Sequence, residues 1–233
     1  MTPELENLLY NRYPDFFARH NWSTQESSMA WGCATSDGWF SLIDAVGETI
    51  TDDAKATGRP VPQASQVKEK FGGLRIYLGA GNEFDHAVVD IAEGLSFWTC
   101  EVTGRPGGLV NCGGYIQTLC PEVALQRGIS IRVPVPRPSA RSKRLRPILK
   151  GPIDVPRGWL RIVNCMLLGL LHHTGGTPIS IDRIATEGDH LRVAADNLTT
   201  VATGIITFCQ AIARRTDRKT GALHVPALSQ DSR

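Results

Sequence analysis

Two segments of this chain repeat one apolar pattern, and the repeat limits the folds open to the chain more than any other feature. The first segment opens with Gly38-Trp39-Phe40 and the second with Gly158-Trp159-Leu160. The apolar positions that follow recur at an offset of 120, as Trp39, Leu42, Ile43, Val46 and Ile50, then as Trp159, Ile162, Val163, Met166 and Leu170. Spacings of three and four residues place each set on one face of an amphipathic helix.

The repeat continues downstream at an offset of 117. The string QVKEKFGGLRI at residues 66–76 aligns with RIATEGDHLRV at residues 183–193. Gly72-Gly73 predicts a two-residue hairpin turn, because glycine takes a positive φ without penalty, and Asp189-His190 fills the matching turn. A second helix follows each hairpin, with the apolar positions Phe84, Val88, Ile91 and Leu95, then Val201, Ile205, Phe208 and Ile212.

Identical residues are few, chiefly the Gly-Trp pairs, Leu74-Arg75 with Leu191-Arg192, and Thr103-Gly104 with Thr220-Gly221. The sequence nevertheless predicts an α+β fold of two tandem, diverged α-β-β-α units, in each of which two helices cover one face of a hairpin. A lone two-stranded hairpin is marginal in water, so we expect the units to pack together or to form a homodimer. The predicted organisation is a first unit at 1–126, a linker at 127–157 and a second unit at 158–233.

The predicted linker is strongly basic, although the whole chain has a formal net charge of only +2. Residues 127–157 hold nine of the basic residues, one acid and six of the 14 prolines, which favours an extended backbone. One interpretation is a semi-rigid, solvated linker. The other is a basic strap that contacts nucleic acid through phosphate, or an acidic partner, with the candidate residues Arg137, Arg141, Lys143, Arg144 and Arg146.

The first unit resembles a family of small proteins encoded by bacteriophages and prophages. The resemblance covers about residues 1–126 and rests on DGWFSLID at 37–44, QVKEKFGGLRIY at 66–77, and the cysteine region that runs from Thr99-Cys100-Glu101 to Thr118-Leu119-Cys120. It implies a phage or prophage origin, a place in the host bacterial cytoplasm and an accessory role without enzymatic activity.

The same resemblance implies a zinc site formed by a C-x-x-C pair and a C-x-x-H pair, which this chain only partly retains. Cys100 and Cys120 are present, but Thr103 and Val123 stand at the other two positions. Cys112 is the candidate third ligand, and His86 or Glu122 is the candidate fourth. The alternative is that the cysteines now serve as small buried apolar residues and that no cofactor is bound.

Catalytic signatures for a nucleophile elbow, a phosphate-binding loop or a zinc-protease helix are absent from the sequence. A thiol- or metal-dependent enzyme is therefore the least favoured hypothesis. Six cysteines without a dense disulfide pattern indicate reduced thiols in a cytoplasm. The most apolar run, residues 162–171, is too short to span a bilayer, so no membrane partner is expected.

Three cations on the first hairpin complete the set of candidate contact residues: Lys68, Lys70 and Arg75. They are either a solubilising edge or a recognition face. The leading hypothesis is an accessory protein that binds a host protein or complex stoichiometrically, with antagonism of a bacterial defence system, of the anti-CRISPR kind, as its specific form. A nucleic-acid-binding regulator that uses the 127–157 strap is the runner-up.

Overall fold

Helices and strands mix along the chain in the α+β arrangement that the sequence predicts. The computed structural model describes residues 1–173 and 179–227. The helices are α1 (Pro3–Arg12), α2 (Phe40–Thr57), α3 (Glu83–Ser96), α4 (Pro121–Gln126), α5 (Leu160–His173) and α6 (Thr200–Arg214). The strands are β1 (Cys33–Ala34), β2 (Ala64–Lys70), β3 (Gly73–Leu78), β4 (Gly108–Cys112), β5 (Tyr115–Leu119), β6 (Ile153–Asp154), β7 (Ser180–Glu187) and β8 (His190–Asp196).

Each predicted hairpin is part of a three-stranded sheet, and the third strand of the second sheet, β6, comes from the predicted linker. The antiparallel pair β2–β3 is extended by β1, which runs parallel to β2, and the pair β7–β8 is extended in the same way by β6. The registers correspond, since Cys33 lies opposite Val67 and Ile153 lies opposite Ile184. The added strands are two residues long and immediately precede the Gly-Trp turns, where the sequence has no periodic signal to reveal them.

The tryptophans of the two Gly-Trp pairs are buried and bind equivalent turns. Nε1 of Trp39 donates to the carbonyl of Thr99 at 2.8 Å, and Nε1 of Trp159 donates to the carbonyl of Thr216 at 3.2 Å. In each unit this bond fixes the start of the first long helix against the turn that follows the second helix. The positions Thr99 and Thr216 are also identical and lie at the offset of 117.

The two units share one hydrophobic core. Helix α3 packs against α6, and both also contact the first long helix of the other unit, α5 and α2 respectively. Phe84, Ile91, Met166 and Phe208 are all buried in this common cluster. No helix among residues 1–173 and 179–227 is both long and apolar enough to cross a membrane. The origin of the two units by duplication, with boundaries at 126 and 158, stays a prediction.

The predicted linker is only partly solvated. Leu145, Ile148 and Leu149 are buried in the common core, and the N–H of Lys150 donates to the carbonyl of Ile181 in β7. The expectation of a solvated linker over all of 127–157 is therefore wrong, because apolar residues spaced through its second half cover the second unit. Residues 129–139 form neither helix nor strand, as their prolines lead one to expect.

A buried carboxylate joins three helices of the fold. Asp44 of α2 accepts hydrogen bonds from Arg12 and Tyr13, at the end of α1, and from Arg215, which follows α6. The Arg12 and Arg215 bonds are both 2.7 Å long, and Arg215 also pairs with Glu48. The network stabilises the packing of α1 and the end of α6 against α2. Loss of either arginine would leave the buried charge of Asp44 poorly paired, which is costly.

The Gly38→Ala and Gly158→Ala variants test the docking of the Gly-Trp turns. A Cβ at Gly38 would collide with the backbone of Gly104 and Cys100, and one at Gly158 with the backbone of Asp217. Each variant should lower the free energy of unfolding by about 1–3 kcal/mol or more, since backbone atoms must move. Urea unfolding, followed by tryptophan fluorescence, measures the loss.

Gly108→Ala is the matched control, because the nearest atom to its Cβ would be Cγ2 of Val133 at an ordinary 3.9 Å. Its effect should stay within about 0.5 kcal/mol. Equal stability of Gly38→Ala and the parent chain would contradict the close approach of the turns.

Candidate functional site

The three hairpin cations lie near aromatic rings, and only two of them are available to a partner. Lys68 lies opposite Arg75 in the β2–β3 register, with its Nζ 5.2 Å from the ring centre of Tyr77. Arg75 forms an ion pair with Glu93 of α3 and lies over the ring of Phe97. Arg75 is therefore engaged within the fold, whereas Lys68 and Lys70 remain candidates for contact.

The turn between β2 and β3 lies one residue earlier than the sequence predicts. Lys70 pairs with Gly73, so the turn residues are Phe71 and Gly72, with φ of 53° and 79°. The prediction of Gly72-Gly73 as the turn is wrong, because Gly73 is the first residue of β3. This position requires glycine for another reason, since a Cβ there would strike the ring of Phe97.

The matching turn in the second unit is shifted in the same direction. Glu187 pairs with His190, so Gly188 and Asp189 form the turn in place of the predicted Asp189-His190. Gly188 takes the positive φ of 57°. The equivalent of Phe71 is thus a glycine, which adopts this conformation at no steric cost.

Phe71 is an exposed aromatic residue in a conformation that bulky side chains avoid. Its side chain is 69% exposed and its φ is 53°, in the left-handed region. This conformation costs an ordinary residue roughly 1–2 kcal/mol. Such strain, together with exposure of a large apolar ring, directs attention to this turn as a contact site.

The β4–β5 hairpin packs beside Phe71 and widens the apolar surface. The hydroxyl of Thr118 donates to the carbonyl of Gly72 at 2.6 Å, and a Cβ at Gly72 would touch Leu109 and Ile116. Exposed apolar residues of the two hairpins therefore lie close together, with Leu109 and Ile116 on one face of the β4–β5 hairpin and Tyr115 on the other. We call this surface the apolar tip, formed by Phe71, Leu109, Tyr115 and Ile116.

Polar contacts hold the two hairpins of the apolar tip together. The hydroxyl of Tyr115 donates to Glu69 at 3.2 Å, and the other carboxylate oxygen of Glu69 accepts from the N–H of Gly72 at 2.6 Å. Nζ of Lys70 lies 5.6 Å from the ring centre of Phe71. The tip thus has an apolar centre with a charged margin, which is the usual arrangement of a protein-binding surface.

The four positions of the predicted zinc site come together in a small buried cluster. Cys100 and Cys120 are buried with Val123, and Oγ1 of Thr103 lies 3.6 Å from Sγ of Cys120. Burial raises the pKa of the Cys120 thiol, so this cysteine stays protonated near neutral pH. The four side chains thus lie together as a four-ligand site requires, but Thr103 and Val123 supply a hydroxyl and an alkyl group in place of two metal ligands.

Cys112, the predicted third ligand, packs against the edge of this cluster but lies at the turn end of the β4–β5 hairpin, away from Cys120. In the β4–β5 register, Cys112 is opposite Tyr115 at the turn, and Gly108 is opposite Leu119 at the far end, beside Cys120. Four residues of strand separate the two ends by about 13 Å, far beyond the roughly 2.3 Å of a zinc–sulfur bond. Cys112 therefore cannot complete a site with Cys100 and Cys120.

The structure also shows where the two candidates for a fourth ligand lie. His86 lies in the first turn of α3, whose other end precedes Cys100, and Glu122 forms an ion pair with Arg105 at 3.4 Å. Among residues 1–173 and 179–227, no group of three or more metal-binding side chains converges.

The five strap cations are exposed and lie outside both the apolar tip and the cysteine cluster. Arg137, Arg141, Lys143, Arg144 and Arg146 all present their side chains to solvent. In the part of the chain that the structure describes, none of them forms an ion pair. They are free to contact an anionic partner, separately from Lys68 and Lys70.

The Thr103→Cys, Val123→His double variant should restore zinc binding. It returns a thiol and an imidazole to positions that already face Cys100 and Cys120, and two such pairs can close a tetrahedral shell. We expect about one zinc per chain and a higher melting temperature that is lost on chelation. Atomic emission analysis of the purified protein, with thermal melts, measures both effects.

The control is the same double variant with Cys120→Ser, which should lose the metal. A double variant that folds and carries no zinc would contradict the assignment of the four positions.

Comparisons with known proteins give no information on the candidate sites, which therefore rest on the geometry of this chain. No protein-family model matches the sequence, and no curated protein or solved structure is significantly similar to it. The likeness of residues 1–126 to a phage-encoded family therefore stays a prediction.

Proposed function

We propose that this chain is a non-enzymatic binding protein that holds a host protein stoichiometrically, and that the apolar tip is its contact surface. The observation that carries the proposal is Phe71, which is strained and 69% exposed in a turn. Asparagine or glycine would relieve the strain at this position without loss to the core. The presence of phenylalanine is understandable if its ring is buried by a partner.

The composition of the apolar tip supports this role. Aromatic side chains carry much of the energy in protein interfaces, and the tip contributes Phe71 and Tyr115 beside two aliphatic residues. Thr118 of β5 and Glu69 of β2 both bind the backbone of Gly72 and so fix the turn of Phe71, which means that little conformational freedom is lost on binding.

The charges at the margin indicate the chemistry of the partner. Lys68 and Lys70 lie on the same side of β2, beside the rings of Tyr77 and Phe71. A partner surface with an apolar pocket and acidic residues at its edge would complement this arrangement.

The biological setting belongs to the same proposal. A phage or prophage origin, the host bacterial cytoplasm and antagonism of a defence system, of the anti-CRISPR kind, follow from the resemblance of residues 1–126 to phage-encoded proteins. The apolar tip is compatible with such an inhibitor because stoichiometric inhibition needs a surface and no catalytic group.

The Phe71→Asn variant tests the proposal. Asparagine tolerates the left-handed conformation, so the free energy of unfolding should stay equal or rise by up to about 1 kcal/mol. Binding should fall at least tenfold, because the apolar anchor is lost. Immobilised parent and variant chains are compared for saturable retention of a protein from host lysate, and retention is then measured with that purified protein.

Leu198→Asn is the matched control, since it replaces another exposed apolar residue, in the loop before α6. It should bind like the parent. Equal binding by Phe71→Asn and the parent would contradict the role of the tip. Self-association of the parent that Phe71→Asn abolishes would assign the tip to a homodimer and would also contradict a host partner.

Nucleic-acid binding by the strap is a second candidate function, favoured by five exposed cations that form no ion pair with any described residue. These residues lie within a segment that holds no aromatic side chain, so contact would be limited to phosphate.

A salt series on the parent chain tests the strap. If five phosphates are neutralised, the logarithm of the association constant for duplex DNA should fall with the logarithm of salt concentration with a slope of about −4 to −5. Charge-neutral substitution of Arg141, Lys143 and Arg144 should reduce that slope by about three. Absence of binding at low salt, or an unchanged slope in the variant, would remove this candidate.

A further inference from the structure

A basic cavity of about 640 Å³ lies where the two units and the strap meet. Its polar walls come from Arg105 of the first unit, Arg157 at the end of the strap, Arg161 at the start of the second unit, and Lys219 in the turn after α6. Val133 and Val135 of the strap add apolar surface. We call this space the junction cavity.

Arg161 is the unusual member of the junction cavity. Only 8% of its surface is exposed, and its Nη2 donates to the carbonyls of Val133 and Pro134, at 3.4 and 3.0 Å. Its Nε is buried and has no acceptor among the described residues. Within residues 1–173 and 179–227, no carboxylate lies at ion-pair distance from this guanidinium.

The charge of Arg161 is poorly compensated by the protein itself. Burial, followed by repulsion from Arg157, lowers the pKa of Arg161, but a guanidinium stays protonated at physiological pH. A buried charge without a counter-ion costs several kcal/mol, and two carbonyl groups offset only part of this cost. An anion bound in the cavity would supply the missing counter-charge.

The second unit has a charged group where the first unit has a neutral one. At the offset of 120, the equivalent of Arg161 is Ser41, whose hydroxyl donates to the carbonyl of His224 in the segment that crosses it. The serine thus satisfies a structural bond with a short side chain. The arginine makes the same kind of bond to a crossing segment and leaves Nε and a positive charge beside a cavity.

We propose that the junction cavity binds a small phosphorylated molecule with a body of about nucleotide size. The wall cations exceed the one wall carboxylate, Glu122, by three charges, and a phosphomonoester carries about −1.5 to −2 near pH 7. Guanidinium groups are suited to the oxygens of phosphate. The volume lies within the roughly 300–1,000 Å³ of small-molecule sites and exceeds the needs of a bare anion.

The valine and proline side chains of the wall suit the body of such a ligand. Val133, Val135 and Pro106 face the cavity and offer contact surface for an apolar or aromatic group. The phosphate would therefore lie toward Arg161, with the body of the ligand toward the strap.

Thermal melts and calorimetry with three probes test the proposal: inorganic phosphate, AMP and adenosine, at constant ionic strength. AMP should raise the melting temperature by about 5 °C at a hundredfold excess over its Kd, and adenosine should bind at least tenfold more weakly. Inorganic phosphate should bind, but more weakly than AMP. No shift with either phosphate-containing probe, or equal binding of AMP and adenosine, would overturn the proposal.

Arg161→Met separates a ligand site from a structural role. Methionine fills a similar volume without charge, so the ligand-free variant should melt at the same temperature as the parent or higher. It should lose at least tenfold in affinity for AMP. A variant that is destabilised and still binds AMP like the parent would show that Arg161 serves only the fold.

Lys219→Ala and Arg183→Ala complete the test at exposed positions, where folding is not at risk. Lys219 lines the cavity, and its loss should weaken AMP binding several-fold. Arg183 lies exposed on β7, away from the cavity, and its loss should change nothing. Equal effects of the two substitutions would indicate nonspecific attraction of anions and would overturn the assignment. Binding of citrate as tight as that of AMP would show that the cavity does not select phosphate, and would overturn the choice of a phosphorylated ligand.

Discussion

The packing of α3 against α6 is the contact on which the rest of the fold depends. The repeated sheet has three strands in each half of the fold, one of them only two residues long, and such a small sheet cannot bury enough apolar surface to stand alone. The close approach is made possible by Gly204 of α6, where a Cβ would meet the carbonyl of Phe84. The two helices occupy equivalent places in their units, so each unit completes the core of the other.

The positions that are identical in the two units are those where geometry leaves least choice. The Gly-Trp pairs fit against a turn that admits no side chain at the glycine, and Leu74 and Leu191 are buried at matching places in the sheets. Elsewhere any apolar residue of suitable size can fill the core, so the two units can share an apolar pattern with few identical residues.

Sequence periodicity was sufficient for α2, α3, α5 and α6, because spacing alone defines their buried faces, but it did not reveal the β4–β5 hairpin or α4. It failed where a distant residue decides the outcome. The turn at Phe71-Gly72 could not be distinguished from Gly72-Gly73 without knowledge that the ring of Phe97 lies against Gly73. Arg161 looks like a surface residue of an amphipathic helix, and only the crossing of the strap at Val133 buries it.

The apolar tip and the junction cavity both use a segment of the first unit that has no counterpart among the described residues of the second. After the Thr-Gly turn the first unit continues through β4, β5 and α4, whereas the second passes directly to Leu223 and the end of the described chain. This added segment supplies three of the four residues of the apolar tip, and it leads into the strap that covers the junction cavity. The shared core therefore needs both units, while the features suited to binding come from their differences.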